Sequence, residues 1–223
     1  MKRLLLASAL AASVAVGVIA ASAPAASTAS NVYTFSTSTN PVSPGSNNQG
    51  WWGETGGVGN SNSNDNYYVG WGANTKRYNN YFTFDISSIT NPCPPQAAYI
   101  RVPRGSGGGA STATYTLHDV STPPSVLAHK VNGPSQTIYN DLGGGAVYGS
   151  YVLSTVAGAP FTLTLNGNAL SALLAAEQSH APSFSVGGSL GNPPAGVFLF
   201  GSTGGVGSTV TLTVTYPKLC RVF

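Results

Sequence analysis

Hydrophobic and polar residues alternate along most of the chain in short runs, each bounded by Gly, Pro, Asn or Ser. Runs with a period of two, separated by turn residues about every eight to twelve positions, are typical of a β-sandwich. Phe82, Phe84 and Ile86, for example, fall on one face of a predicted strand. The pattern predicts strands over residues 31–35, 78–86, 97–102, 111–120, 137–140, 147–153, 161–165, 183–186, 197–200 and 206–216.

One segment follows a helical period instead. Asn168 is expected to cap a helix that ends at Gln178. Leu170, Leu173 and Leu174 follow at helical spacing, and the alanines among them favour a helix over a strand. The predicted fold class is therefore all-β, with about ten strands in a two-sheet β-sandwich of jelly-roll type and one short helix.

The first 25 residues have the composition of a secretory signal. Lys2 and Arg3 precede an uncharged apolar stretch that runs to Ala21, and small residues continue to Ala25. A membrane-spanning helix is the alternative, but the stretch is rich in Ala, Val and Ser and an A-x-A cleavage site follows it. We therefore expect a secreted protein without membrane attachment after cleavage, with residues 1–25 as signal peptide and residues 26–223 as one β-sandwich domain.

The chain carries unusually little charge. Charged residues make up 7% of the sequence, against about 25% in ordinary globular domains. When Lys2 and Arg3 leave with the signal, seven basic residues remain against six acidic ones, a net charge of +1. The sequence contains no basic stripe that could neutralise a phosphate backbone, so nucleic-acid binding is not expected.

The two cysteines, Cys93 and Cys220, are expected to form a disulfide, because the expected compartment permits oxidation. Cys93 precedes the strand predicted at 97–102, and Cys220 follows the last predicted strand. Antiparallel pairing of those two strands would bring the sulfur atoms together. The alternative is a pair of separate buried thiols.

Groups that a secreted hydrolase needs are sparse in this sequence. His118 and Asp119, as neighbours on a predicted strand, point to opposite faces, so their adjacency does not form an orienting pair. Asp119 is expected to support a turn with Ser121 and Thr122. We predict no enzyme activity and no cofactor, with a pair of carboxylates brought together through space as the enzymatic alternative.

A metal site is not predicted either. Residues 60–66 supply many side-chain oxygens, and β-sandwich modules often hold a structural calcium ion. The loop contains one carboxylate, Asp65, which is few for Ca²⁺. The preferred interpretation is a solvated Asn/Ser loop.

The aromatic residues are concentrated in one block. All three tryptophans and four of the eleven tyrosines lie within residues 51–81. Aromatic faces stack on the apolar faces of sugar rings, but the same residues also bury large areas in protein cores. Trp51 and Trp52 cannot both face inward if they are neighbours on a strand. The ligand-binding residues predicted from this block, with a core role as the alternative, are Trp51, Trp52, Trp71, Tyr68 and Tyr78.

Several short motifs resemble those of a group of uncharacterised exported bacterial β-sandwich proteins. They are NQGWW at residues 48–52, NYYVG at 66–70, NYFTFDI at 80–86 and YTLHDVST at 115–122. Residues 80–102 also resemble, over about two strands, the DNRLRE-type β-sandwich modules, some of which are associated with carbohydrate binding. The first resemblance implies the fold, and the second also implies a carbohydrate ligand.

Two classes of function follow from these features. The first is a secreted non-catalytic binding module whose ligand is a polysaccharide or a cell-surface glycan. The second is a structural protein of the cell envelope or extracellular matrix. The orientation of Trp51, Trp52 and Trp71 discriminates between them, because convergence on an exposed concave patch favours binding and burial favours a structural role.

Overall fold

The computed structural model describes residues 30–38, 48–57, 66–72, 75–91, 93–103, 105–129, 133–156, 158–201 and 209–218. The predicted signal peptide and Cys220 lie outside these ranges. The described residues form eleven strands and three helices: β1 Ser30–Ser36, β2 Gln49–Gly53, β3 Val69–Trp71, β4 Arg77–Asp85, β5 Ala97–Val102, β6 Thr112–Asp119, α1 Pro124–Leu127, α2 Gln136–Gly144, β7 Val147–Ser154, β8 Phe161–Thr164, α3 Gly167–Gln178, β9 Ser183–Ser189, β10 Phe198–Leu199 and β11 Thr211–Pro217.

The strands form two antiparallel sheets packed face to face, as the alternating pattern predicts. The smaller sheet has the order β1-β11-β5-β8, and the larger has the order β10-β3-β4-β9-β6-β7, with β2 also paired to β4. Eight of these strands, β1, β4 to β9 and β11, have jelly-roll connectivity, in which the chain passes repeatedly between the sheets. The remaining strands β2, β3 and β10 extend the larger sheet around the first half of β4.

The main core lies between the two sheets and consists of the apolar faces predicted from the period of two. Phe82 and Phe84 of β4 are fully buried, as are Ile100 of β5, Leu117 of β6 and Val214 of β11. Alternate residues of β5 are exposed, which is the arrangement expected where one face of a strand packs on the core. This core positions β4, the strand on which the aromatic block is centred.

The outer face of the larger sheet is covered by a second, smaller apolar cluster beneath α1 and α2. Its buried members are Trp52, Tyr81, Leu127, Ile138 and Leu142. Asn80 and Phe82, on either side of Tyr81 along β4, face the main core instead, so this strand is buried on both faces. The larger sheet is therefore the middle layer over this part of the fold.

Helix α2 corrects the strand predicted at residues 137–140. Ser135 caps the helix by accepting a hydrogen bond from the backbone N–H of Ile138 at 3.4 Å. Ile138 and Leu142, four residues apart, then lie on one face and pack on the sheet. The short apolar run is compatible with a strand, and tertiary packing of its helical face decides the outcome.

Helix α3 confirms the predicted helix but not its cap. Asn166, rather than Asn168, is the N-cap residue, and its side-chain oxygen accepts from the backbone N–H groups of Asn168 and Ala169 at 3.0 and 3.2 Å. Ala169 and Leu173 are the buried residues of this helix. The cap residue, and with it the start of the helix at Gly167, lies two positions before the one expected from the sequence.

The disulfide predicted for Cys93 depends on antiparallel pairing of the strand that follows it with the last strand, and the structure has this pairing. Strands β5 and β11 pair antiparallel, from Ala97 opposite Thr215 to Arg101 opposite Thr211. Cys93 is buried just before β5, and the described part of the chain contains no free cysteine. Because Cys220 lies outside the described residues, its pairing with Cys93 stays a prediction.

Candidate functional site

An open, mostly apolar groove of about 790 Å³ lies where β2, β3 and β10 surround the start of β4. Its volume lies within the range of about 300–1,000 Å³ that is usual for small-molecule sites. The lining combines aromatic side chains with a few small polar groups and exposed glycine backbone: Trp51, Asn66, Tyr68, Trp71, Gly72, Thr75, Tyr78, Ser106, Ala195, Gly196, Phe198 and Gly201.

Four of the rings pack in a continuous row along the groove. Phe198 stacks on Tyr68 with ring centroids 5.4 Å apart and an interplanar angle of 17°. Tyr68 meets the edge of Tyr78 at 5.9 Å, and Tyr78 meets Trp51 at 4.9 Å in a T-shaped contact. Such contacts contribute about 0.5–1.5 kcal/mol per pair beyond area burial. The rings therefore fix one another's orientation before any ligand arrives.

The two tryptophans of the groove are also held through their indole N–H groups. Trp51 Nε1 donates to Asn66 Oδ1 at 2.6 Å, and Trp71 Nε1 donates to the backbone carbonyl of Pro193 at 2.8 Å. Both side chains remain partly exposed. Each ring thus has an anchored polar edge and retains apolar surface that a ligand can contact.

Two glycines permit the close approach of the elements that carry the rings. A Cβ atom on Gly72 would lie 2.6 Å from Cε2 of Tyr78 and 3.2 Å from Cε1 of Tyr68. Gly70 has a φ of +105°, and its Cβ would lie 2.5 Å from the carbonyl oxygen of Val197. Larger residues at these positions would therefore displace the tyrosines or separate β3 from β10.

Four of the five predicted ligand-binding residues meet in this groove, namely Trp51, Tyr68, Trp71 and Tyr78. Trp52 does not, which corrects its assignment. It is 2% exposed, belongs to the cluster beneath α2 and donates from Nε1 to the backbone carbonyl of Leu127 at 3.2 Å. Neighbours on β2 point to opposite faces, so Trp51 lines the groove and Trp52 is a core residue. The aromatic block thus contains both a surface and a core component.

Sequence reasoning missed Phe198 and the polar residues of the lining. Phe198 lies within the strand predicted at 197–200, but it is far from the aromatic block in sequence. Its position results from the pairing of β10 with β3, in which Phe198 lies opposite Gly70. In the sequence, Asn66 is recognisable only as part of the Asn/Ser loop. In the structure, its side-chain oxygen accepts the hydrogen bond from the indole N–H of Trp51.

An ion pair lies beside the groove, next to Tyr78. Arg77, the neighbour of Tyr78, donates from Nε and Nη2 to Glu54 Oε2 at 3.1 and 2.8 Å, and from Nη1 to Asn192 Oδ1 at 2.7 Å. The hydrogen bond from Arg77 lowers the pKa of Glu54, against the opposing effect of burial, and Glu54 raises the pKa of Arg77. The Arg77 guanidinium is therefore engaged by Glu54 and Asn192 within the fold.

The Tyr68 hydroxyl adds no charge to the lining. Burial, followed by the effect of the neighbouring Tyr78, raises the pKa of Tyr68 well above its usual value. The side chain is consequently neutral over the physiological pH range. No charged side chain lines the groove among the residues that the structure describes.

His118 and Asp119 have separate partners, as their positions on opposite faces of a strand predict. His118 lies 3.1 Å from Ser189 Oγ through Nε2 and 3.2 Å from the carbonyl oxygen of Gly145 through Nδ1. Asp119 accepts a hydrogen bond from the Tyr148 hydroxyl at 2.5 Å. The two side chains do not orient each other, and His118 links β6 to β9 and to the end of α2.

The turn that follows β6 is stabilised by Asp141 and not, as predicted, by Asp119. Asp141 accepts hydrogen bonds from the backbone N–H and the hydroxyl of both Ser121 and Thr122, at distances of 2.6–3.3 Å. Burial raises the pKa of Asp141, but these hydrogen bonds outweigh that effect and lower it overall. The carboxylate therefore joins α2 to the end of β6.

The other described carboxylates are also engaged within the fold. Asp85, at the end of β4, accepts from the backbone N–H and hydroxyl of Ser87, and Glu177 accepts from the hydroxyl of Tyr216. Within the described ranges, no group of three or more His, Cys, Asp or Glu residues could hold a metal ion. Residues 60–65 of the loop considered for calcium lie outside the described residues.

No protein-family model matches this chain, and no curated protein sequence matches it. Among the described residues, no helix is long and apolar enough to cross a membrane.

Proposed function

We propose that this protein is an exported, non-catalytic binding module that holds a polysaccharide or a cell-surface glycan in the aromatic groove. The observation that carries the proposal is the convergence of Trp51, Trp71, Tyr68 and Phe198 on one open groove, with partly exposed rings. Several partly exposed aromatic rings in one concave site are a usual sign of a ligand-binding function.

The chemistry of the groove suits a sugar. Sugar rings present apolar C–H faces, which stack on aromatic rings, and hydroxyl groups around their edges. The partly exposed rings offer the first kind of contact, while Asn66, Thr75 and Ser106 place polar side chains in the same lining. The packing among the rings supports the proposal further, because a site organised in advance loses less conformational entropy on binding.

Export rests on the N-terminal sequence. A basic start, an apolar centre and small residues at positions 23 and 25 are the features that signal peptidase recognises. The low content of charged residues and the predicted Cys93–Cys220 bridge are consistent with an extracellular location. We expect the mature protein to begin at Ala26, and intact-mass measurement of protein from the culture medium tests this, since retention of Met1 would contradict it.

The second candidate, a structural protein of the cell envelope or extracellular matrix, is favoured by a different surface. Val32 and Tyr99, which are 59% and 37% exposed, lie on the outer face of the smaller sheet. The same face carries Thr34 of β1, which is also exposed. An exposed sheet face of this kind can make contacts with another protein.

Retention on insoluble polysaccharides, followed by a soluble glycan array, tests the proposed function. The Trp71→Ala variant should lose most retention, because it removes a partly exposed ring from the groove. Tyr99→Ala is the matched control, since it removes an exposed ring from the opposite sheet. Failure of the parent protein to bind any glycan, or equal loss in both variants, would refute the groove as a glycan site and favour the structural role.

A further inference from the structure

Among the rings of the groove that contact one another, two partly exposed patches each contact Tyr78, and Trp71 is a further partly exposed ring of the same lining. Tyr78 lies between the two patches, is 3% exposed and therefore offers little surface to a ligand. Tyr68 and Phe198, stacked nearly parallel, lie on one side of Tyr78, and Trp51 lies on its other side in a T-shaped contact. A ligand that uses both patches must extend across the buried ring, and one sugar ring cannot stack on both.

The charge distribution restricts the ligand further. The described lining contains aromatic, amide, hydroxyl and glycine groups without a charged side chain. The adjacent Arg77 is already bound by Glu54 and Asn192. A carboxylate or ammonium group on a sugar would lose hydration against this lining without gaining a counter-charge from the described lining residues, and that desolvation is unfavourable.

We propose that the groove binds an internal segment of an uncharged polysaccharide chain, with at least two sugar rings in contact with the two aromatic patches at once. This inference rests on the proposed function and names the ligand class of the same groove. The groove is open to solvent rather than enclosed, so a chain longer than the contacted segment can leave it. Because Tyr78 separates the two patches, only a chain of several sugar units can contact both. The affinity should therefore depend on chain length and not on a terminal sugar.

Titration calorimetry with oligosaccharides of increasing length tests the proposal. Neutral cello-, xylo- and manno-oligosaccharides from one to six units would be compared with oligogalacturonates, which are acidic, and chitosan oligosaccharides, which are basic. For at least one neutral series we expect affinity to rise at least about tenfold from the monosaccharide to the tetrasaccharide and then to level off. The affinity should be unchanged by salt, since no ion pair contributes to it.

Three outcomes separate this inference from the proposed function. A monosaccharide that binds as tightly as its tetrasaccharide would overturn the inference. A salt-sensitive preference for an acidic or basic series would overturn it too. Either result would leave the proposed glycan binding itself intact. Absence of binding to every glycan would instead refute the proposed function itself.

Two variants test the role of the patches. Phe198→Leu removes one ring of the first patch, so it should reduce the affinity for long chains severalfold and flatten the dependence on length. Gly72→Ala keeps every ring but forces Tyr78 and Tyr68 apart, and should have the same effect. Gly144→Ala is its control, because a Cβ at Gly144 meets no atom within 4 Å. Unchanged length dependence in both groove variants, with melting temperatures like that of the control, would overturn the inference.

Discussion

The neighbouring tryptophans of β2 provide the most direct test of the division between core and groove. Trp52 is 2% exposed and packs with Tyr81 and Leu142 beneath α2. Truncation of a buried Trp to Ala usually costs about 3–5 kcal/mol. For a domain of this size, about 1 kcal/mol lowers the melting temperature by about 2–4 °C, so Trp52→Ala should melt about 6–20 °C below the parent protein.

Trp51→Ala should have a smaller effect on stability and a larger effect on binding. The change removes the hydrogen bond to Asn66, worth about 0.5–1.5 kcal/mol, and the edge contact with Tyr78, worth about 0.5–1.5 kcal/mol. Because the ring is partly exposed, little further burial is lost. We therefore expect a loss of about 1–3 kcal/mol in the free energy of unfolding, together with weaker glycan retention.

Thermal and urea unfolding of the two variants, followed side by side, measure this difference. Trp52→Phe serves as a conservative control, since it keeps most of the apolar volume and removes only the donor to the Leu127 carbonyl. Equal stability losses in the two Ala variants, or a larger loss in Trp51→Ala, would refute the assignment of one ring to each face of the sheet.

Two further changes test other parts of the fold. Asp141→Asn should lower the free energy of unfolding by about 1 kcal/mol, a modest value because the carboxylate is partly exposed. The pKa of Asp141 is lower in the folded protein than the unfolded-state value of about 3.9. The stabilisation is therefore present above about pH 3.9 and is lost as the pH falls through the folded-state pKa. Melting curves from pH 7 to pH 2 should therefore converge for parent and variant at the acidic end, and a constant difference would contradict this. Reduction of the predicted Cys93–Cys220 bridge should lower the melting temperature by several degrees. The loop that the bridge closes exceeds 100 residues, and the chain-entropy model assigns such a loop about 4–5 kcal/mol. Two free thiols in the native protein, or an unchanged melting temperature after reduction, would contradict the predicted bridge.

The period of two was sufficient to predict the fold class, because one buried face of a strand imposes it directly on the sequence. Ala98, Ile100 and Val102 of β5 are buried as the alternation requires. The pattern was less informative where a strand is covered on both sides or where a short segment packs as a helix. Residues 137–140 resemble a strand locally, and the i, i+4 pair of Ile138 and Leu142 was the available sign of α2.

The groove was only partly predictable for a similar reason. The density of aromatic residues identified most of its members, and alternation showed that Trp51 and Trp52 must face opposite ways. Alternation does not reveal which face a helix will cover, so Trp52 was assigned to the ligand site. Phe198 depends on the pairing of β10 with β3 across more than 100 residues, and no local pattern encodes such a long-range pairing.

The order of the strands has a consequence for when the protein can fold. Strand β1 pairs with β11, so that Ser30 lies opposite Pro217 and Ser36 opposite Thr211. Strand β1 therefore obtains its partner only after β11 has been synthesised, since Thr34 and the opposite Thr213 are 179 residues apart. Contacts between such distant segments incur the entropy of loop closure before they stabilise anything, and this slows folding. The topology thereby prolongs the interval in which the new chain is still unfolded, which is the interval in which the proposed export would have to take place.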